Sequence, residues 1–276
     1  YFNAVVRALM QVLVYVCSTI PHLFCVSRFC SRYGLREIEL LELLAPPGLT
    51  QLPHALWARL SKSLDAYTKL FETQDVSTLR FFHQQISRAV AARYLDTARS
   101  QHSVHRRLMR FFARKVSWRE AEVWLVSSDD NDITSQADPL GDLTWLGNNE
   151  RDFGDLVYYQ LKGLKLRELE QTIGNLRFLS ARARFGPTSV EGLLKDYSEA
   201  QEEIRRIKYS SLKSHLRGES RHSILSWISE FFVFVSSSQR QLTANPELVF
   251  QYALNQPDGS APNKYVSAPL VAMDQH

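Results

Sequence analysis

Along most of the chain, apolar residues return every three or four positions, the spacing that lines one face of an α-helix. Residues 22–33, 35–44 and 53–65 carry it as three short amphipathic helices, parted by Gly34 and by the breaker Pro46-Pro47-Gly48. The texture then changes. Residues 67–71 and 76–81 are short runs rich in β-branched and aromatic side chains around a polar Glu72-Thr73-Gln74-Asp75 turn, which predicts a β-hairpin. Helical spacing resumes at 83–95 and 100–115. Three short helices followed by a two-stranded wing is the layout of a winged-helix domain, and the pattern assigns one, with its N-terminal helix, to residues 1–95.

Residues 96–126 read as connecting basic helices, the last opened by capping-box spacing at Ser117-Trp118-Arg119-Glu120. The stretch 127–150 has little apolar period and is expected to be a long acidic loop. Helical units follow near 151–162, 165–173 and 175–185. Thr188-Ser189-Val190-Glu191, just after Gly186-Pro187, has capping-box spacing and predicts the start of a long helix. Its core face carries Leu193, Leu194, Tyr197, Ala200, Ile204 and Ile207. Two more helices are expected at 220–238 and 246–254, the second with Asn245 as cap and Pro246 in its first turn. Residues 151–255 thus form a helical arm of TPR-like hairpins, with an extended tail, 256–276, leading towards further repeats. The fold class is mainly α, a winged-helix-like domain with a short β-hairpin followed by TPR-like helical hairpins.

Composition narrows this picture. The 276 residues are 45% hydrophobic and 22% charged, which excludes a disordered tail, and 11 Gly with 10 Pro exclude collagen-like sequence. A net charge of +4 is too small to demand a polyanionic partner, but the charge is unevenly placed. Residues 88–115 hold eight Lys or Arg against the single acid Asp96, and residues 119–155 hold ten acids against two Arg. The basic series Arg88, Arg93, Arg99, Arg106, Arg107, Arg110 and Arg114 is either a partner- or phosphate-binding patch or a face closed by the acidic loop. No stacking aromatics are interleaved with it across a sheet, so direct nucleic-acid contact is not expected.

Three cysteines, Cys17, Cys25 and Cys30, without CxxC spacing suit buried thiols in a reducing, cytoplasmic compartment. Residues 8–26 are the one candidate membrane span. Gln11, Pro21 and His22 interrupt it and Arg7 and Arg28 bracket it, so a break between two buried helices is preferred to an anchor. The chain begins at Tyr1 rather than Met, which suggests a piece of a longer protein.

Enzymatic signatures are missing. The sequence has no GxxxxGK[ST], no HExxH, no nucleophile elbow and no paired-cysteine cluster, so neither catalysis nor a metal site is expected. Asp152-Phe153-Gly154 lacks the companions of a kinase motif, and Asp129-Asp130-Asn131-Asp132 lacks the turn Gly and closing Glu of a calcium loop. His102 and His105 share a helical face but have no further ligand pair. His83 is the sharpest single residue. It follows Leu79-Arg80-Phe81-Phe82 at the step from a buried apolar run to a helix N-terminus, where an imidazole and free N–H groups favour an anion, although a capping or buried His has the same local pattern.

Five segments resemble, in order, the region that follows the NTPase module of NACHT/STAND-type NTPases with C-terminal WD or TPR repeats, of the telomerase protein component and nephrocystin kind. They are residues 24–44, with Ser27-Arg28 and Gly34-Leu35 followed by Glu39-Leu40; 79–95, with Phe81-Phe82-His83 and Arg93-Tyr94-Leu95; and 104–112, with His105-Arg106-Arg107-Leu108. The last two are 175–197, with Phe178-Leu179-Ser180-Ala181-Arg182, and 242–257, with Phe250-Gln251-Tyr252-Ala253-Leu254-Asn255-Gln256-Pro257. The resemblance implies a non-catalytic regulatory and scaffolding segment, coupling the ADP or ATP state of an upstream P-loop domain to downstream repeats. It implies that His83 contacts the nucleotide phosphate from the winged helix, and that partners are proteins or further copies engaged through the arm. Membrane contact is not implied. The family's acidic residue shortly after the His is replaced here by Ser87-Arg88, and Tyr158-Tyr159-Gln160-Leu161 stands where Tyr-His-Leu is common. An adaptor with TPR-like hairpins and no nucleotide dependence is the alternative reading.

Overall fold

Among the described residues apolar periodicity becomes helix almost wherever it occurs. The computed structural model describes residues 20–46, 48–73, 76–116, 145, 147–207 and 221–273. These are mainly helical with one two-stranded antiparallel sheet, and they form two compact units, one running up to Leu108 and one from Met109 onward.

The first unit holds α1 (Ile20–Cys30), α2 (Glu37–Leu43), α3 (His54–Leu64), a 3-10 turn (Asp65–Tyr67), β1 (Thr68–Thr73), β2 (Val76–Phe81), α4 (Gln84–Tyr94) and the beginning of α5 (Ala98–Val116). Phe24, Val26, Leu35, Leu40, Leu44, Leu52, Trp57 and Leu95 form its core. α2 starts without a Ser or Asp cap. Instead Glu39 reaches back, accepting from Arg36 N at 2.7 Å and from Arg36 Nε at 2.6 Å, and so supplies the acceptor that an unsatisfied first-turn N–H needs. β1 and β2 pair with Lys69 opposite Arg80 and Leu70 opposite Leu79. On its other side β2 is bridged by Leu35, whose carbonyl accepts from Leu79 N at 2.9 Å, leaving β1 as the outer strand. Gly34 makes this approach possible: its φ is +87°, and a Cβ would lie 2.9 Å from both Arg80 Cγ and Leu79 O.

The second unit holds the rest of α5, then α6 (Glu150–Lys162), α7 (Leu166–Ile173), α8 (Leu176–Ala183), α9 (Pro187–Arg206), α10 (Arg221–Ser237), α11 (Gln239–Ala244), a 3-10 turn (Pro246–Leu248), α12 (Val249–Leu254) and α13 (Ala261–Met273). Asn149 caps α6, and Asn175 caps α8 by accepting from Arg177 N and Phe178 N. Phe153, Tyr159, Phe178, Tyr197, Phe231 and Phe234 are fully buried. Polar links cross this core: among them Gln160 Nε2 donates to Thr172 Oγ1 at 2.8 Å, and the Tyr197 hydroxyl donates to the Ile173 carbonyl. Burial holds the Tyr197 phenol far above its usual range, so it stays a donor.

Three expectations are corrected. α9 starts at Pro187 with Gly186 before it and no side-chain cap, because the fixed φ of Pro suits the first helical position and places Thr188 already inside the first turn. The tail is not extended. Pro257 O accepts from Ser260 N at 3.0 Å, Gly259 takes φ +83°, and the reversed chain re-enters a helix with Pro262 in its first turn, Ala261 N donating to Glu230 Oε2 at 2.6 Å. Phe82 is no part of a buried run, being 49% exposed. The capping box at 117–120, the acidic run 129–132 and most of the loop 127–150 lie outside the described residues, as does the candidate span 8–26 before Ile20.

Candidate functional site

His83 stands where the hairpin becomes a helix. Phe82 N donates to Tyr67 O at 3.0 Å, closing the hairpin, and His83 keeps an extended backbone at φ −120° and ψ 141°. Its carbonyl then accepts from Ile86 N at 3.1 Å and Ser87 N at 3.5 Å, which makes it the N-cap residue of α4. The imidazole makes no capping bond. It is exposed and meets the Phe82 ring edge-on with centroids 4.1 Å apart. The first turn of α4 contains no acid, so the partial positive charge of this helix end is not offset locally.

The seven arginines of the basic series occupy different settings. Arg88 and Arg93 lie exposed on α4, Arg93 with its guanidinium 5.5 Å from the Tyr94 ring. Arg99 is exposed near the start of α5. Arg107 is committed elsewhere: its Nη2 donates to Leu43 O at 2.7 Å, capping the C-terminus of α2. Arg106 is half-buried and engaged by neighbours. Arg110 and Arg114 belong to the second unit. The series is therefore not one assembled patch within either unit.

Arg28 carries a feature the sequence reading did not single out. It is 5% exposed, and none of Nε, Nη1 and Nη2 has a hydrogen-bond partner. The guanidinium lies 5.4 Å from the Phe24 ring and 5.2 Å from the Phe81 ring, and burial lowers its pKa to about 9, so it remains charged at neutral pH. The i, i+4 spacing of Phe24 and Arg28 on α1 is the signal that marks the first of these contacts. Beside it, Cys25 is half-buried and Cys30 buried, both free, and burial pushes the Cys30 thiol up to about 12 and the Cys25 thiol up as well, against the opposing pull of Arg28. Such thiols are poor nucleophiles.

Among the described residues no group of three His, Cys, Asp or Glu side chains could hold a metal ion, including around the half-buried His102 and His105. Among the same residues no helix is long and apolar enough to cross a membrane. No family model, curated protein or solved structure matches the chain.

Proposed function

We propose that this chain is a non-catalytic regulatory segment of a NACHT/STAND-type NTPase, with a winged-helix-like first unit and a TPR-like second unit that docks protein partners in the cytoplasm. The observation that supports it is the exposed, uncapped His83 at the N-terminus of α4, directly after the hairpin. An imidazole beside free helix N–H groups favours a phosphate. Presented to a nucleotide held by an upstream P-loop domain, it would contact ADP and ATP differently, and only that difference can bias a two-state equilibrium. The second unit, with Gln160–Thr172 and Tyr197–Ile173 locking its helices, would transmit the shift to downstream repeats as a stiff arm.

The test compares release of a fluorescent ADP from the full-length protein and from its His83→Ala variant. Faster release with an unchanged first-unit fold is the expected result; identical release and identical resting state reject the reading. The adaptor reading is favoured by a separate observation, the exposed Val233, Phe250 and Leu254 on the second unit. It is the outcome if partner binding persists while ADP changes nothing.

A further inference from the structure

One face of the β-hairpin carries an alternation of cations and aromatic rings. Lys69 on β1 lies directly opposite Arg80 on β2. From there each cation reaches diagonally across the ladder, Lys69 Nζ to 5.5 Å from the Phe82 ring centroid and Arg80 Cζ to 5.1 Å from that of Phe71. These four side chains therefore share one face, while Glu72, one position on from Phe71, alternates to the other. Next to them Arg32 lies 5.1 Å from the exposed ring of Tyr33, whose carbonyl accepts from Arg80 Nε at 3.0 Å.

The pairing of the two cations leaves a repulsion across the ladder. Two like charges directly opposite each other destabilise a hairpin, and no carboxylate among the described residues pairs with Lys69 or Arg80. The rings stay open: Phe82 is 49% and Phe71 39% exposed, each with a cation on one side. Residues 20–108 contain twelve Lys or Arg against seven Asp or Glu, so the surrounding unit favours an anion too. A partner that relieves the repulsion must bring negative charge at short intervals, and one that covers the rings must bring flat apolar surface. Single-stranded nucleic acid brings both, phosphates for the cations and bases for the rings.

We infer that this hairpin face binds single-stranded RNA or DNA, with Phe71 and Phe82 as stacking platforms and Lys69 and Arg80 on the phosphates. The inference stands apart from the nucleotide reading of His83. The sequence pointed away from nucleic acid because the basic series on α4 and α5 has no interleaved aromatics; the pairing of β1 with β2 creates that interleaving elsewhere.

The experiment is fluorescence anisotropy of labelled ten-nucleotide oligo(U) and oligo(dT) on the intact 276-residue chain at low salt, with heparin, a matching duplex and phosphatidylserine vesicles as comparisons. Expected are binding to the single strands over the duplex and a roughly ten-fold loss for Phe71→Leu and for Phe82→Leu. Lys69→Gln should weaken binding and reduce its salt dependence. Leu keeps the apolar bulk, and unchanged thermal melting shows that each variant folds. The inference is overturned by absence of binding to either oligonucleotide, by preference for vesicles, or by binding that heparin matches and the Phe variants leave unchanged.

Discussion

Arg182 on α8 and Asp196 on α9 form an ion pair of 2.6 Å whose side chains are only 4% and 2% exposed. Gly192, one turn before Asp196, leaves the space: a Cβ there would lie 3.2 Å from Arg182 Nη2. Removing one partner strands the other charge in the core. Asp196→Asn and Arg182→Met should each destabilise the second unit by about 3–5 kcal/mol, whereas the double replacement Arg182→Met/Asp196→Leu should recover much of the loss. Urea melts of the three variants measure this, and additive losses would contradict it.

Gly174 ends α7 where the Trp227 indole fills the place of a side chain; a Cβ would fall inside the ring. Gly174→Ala should therefore displace Trp227, cost about 1–3 kcal/mol and alter tryptophan fluorescence in the native state. Gly48→Ala, at a glycine with open space around it but φ +87°, should leave the indole signal unchanged.

Buried without a hydrogen-bond partner, Arg28 is a burden on the first unit at neutral pH. Arg28→Met keeps the length and the contacts with Phe24 and Phe81 and should raise stability by about 1–2 kcal/mol. The sign with pH follows from its lowered pKa: the folded state holds the proton less tightly, so the penalty is present below about pH 9 and fades above it as the group deprotonates in the folded chain. The gap between the thermal melts of wild type and variant should narrow as pH rises past 9.

Cys30 has the opposite sign. Its thiol is raised to about 12, so the stability it contributes is present below its ordinary value of 9.0 and is lost as pH climbs towards 12. In a Cys17→Ser background at pH 8, a disulfide reagent should modify Cys30 far more slowly than in denaturant, with Cys25 between the two. Fast native labelling of Cys30 would contradict its burial.

Within the basic series, Arg107 differs from Arg99. Loss of the Arg107 bond to the Leu43 carbonyl in Arg107→Ala should lower first-unit stability by about 1.5–3 kcal/mol, while Arg99→Ala, on an exposed turn, should change it by less than about 0.5 kcal/mol. Denaturant midpoints of the two variants separate a helix-capping arginine from a surface one.

Period and punctuation in the sequence already located most of the described helices, the hairpin and the place of His83 between hairpin and helix. Gly34 announces itself through backbone chemistry confined to a few neighbouring residues, whereas the turn expected over 72–75 is partly taken up by β1, which pairs with β2 as far as Thr73, and the Asn175 cap of α8 was not singled out in the sequence. The helix at Ala261–Met273 escaped because Pro257, Gly259 and Pro262 look like breakers in isolation, and only the turn from Pro257 to Ser260 shows them reversing the chain into a helix. Local free energies thus determined the order of elements. Tertiary structure alone decided which charges are buried and which are paired: Arg28 and Arg182 read alike in sequence, yet one lies between two phenyl rings and the other on Asp196. It also decided that Lys69 and Arg80, eleven positions apart, face each other, because strand register is set by long-range packing that no short window of sequence contains.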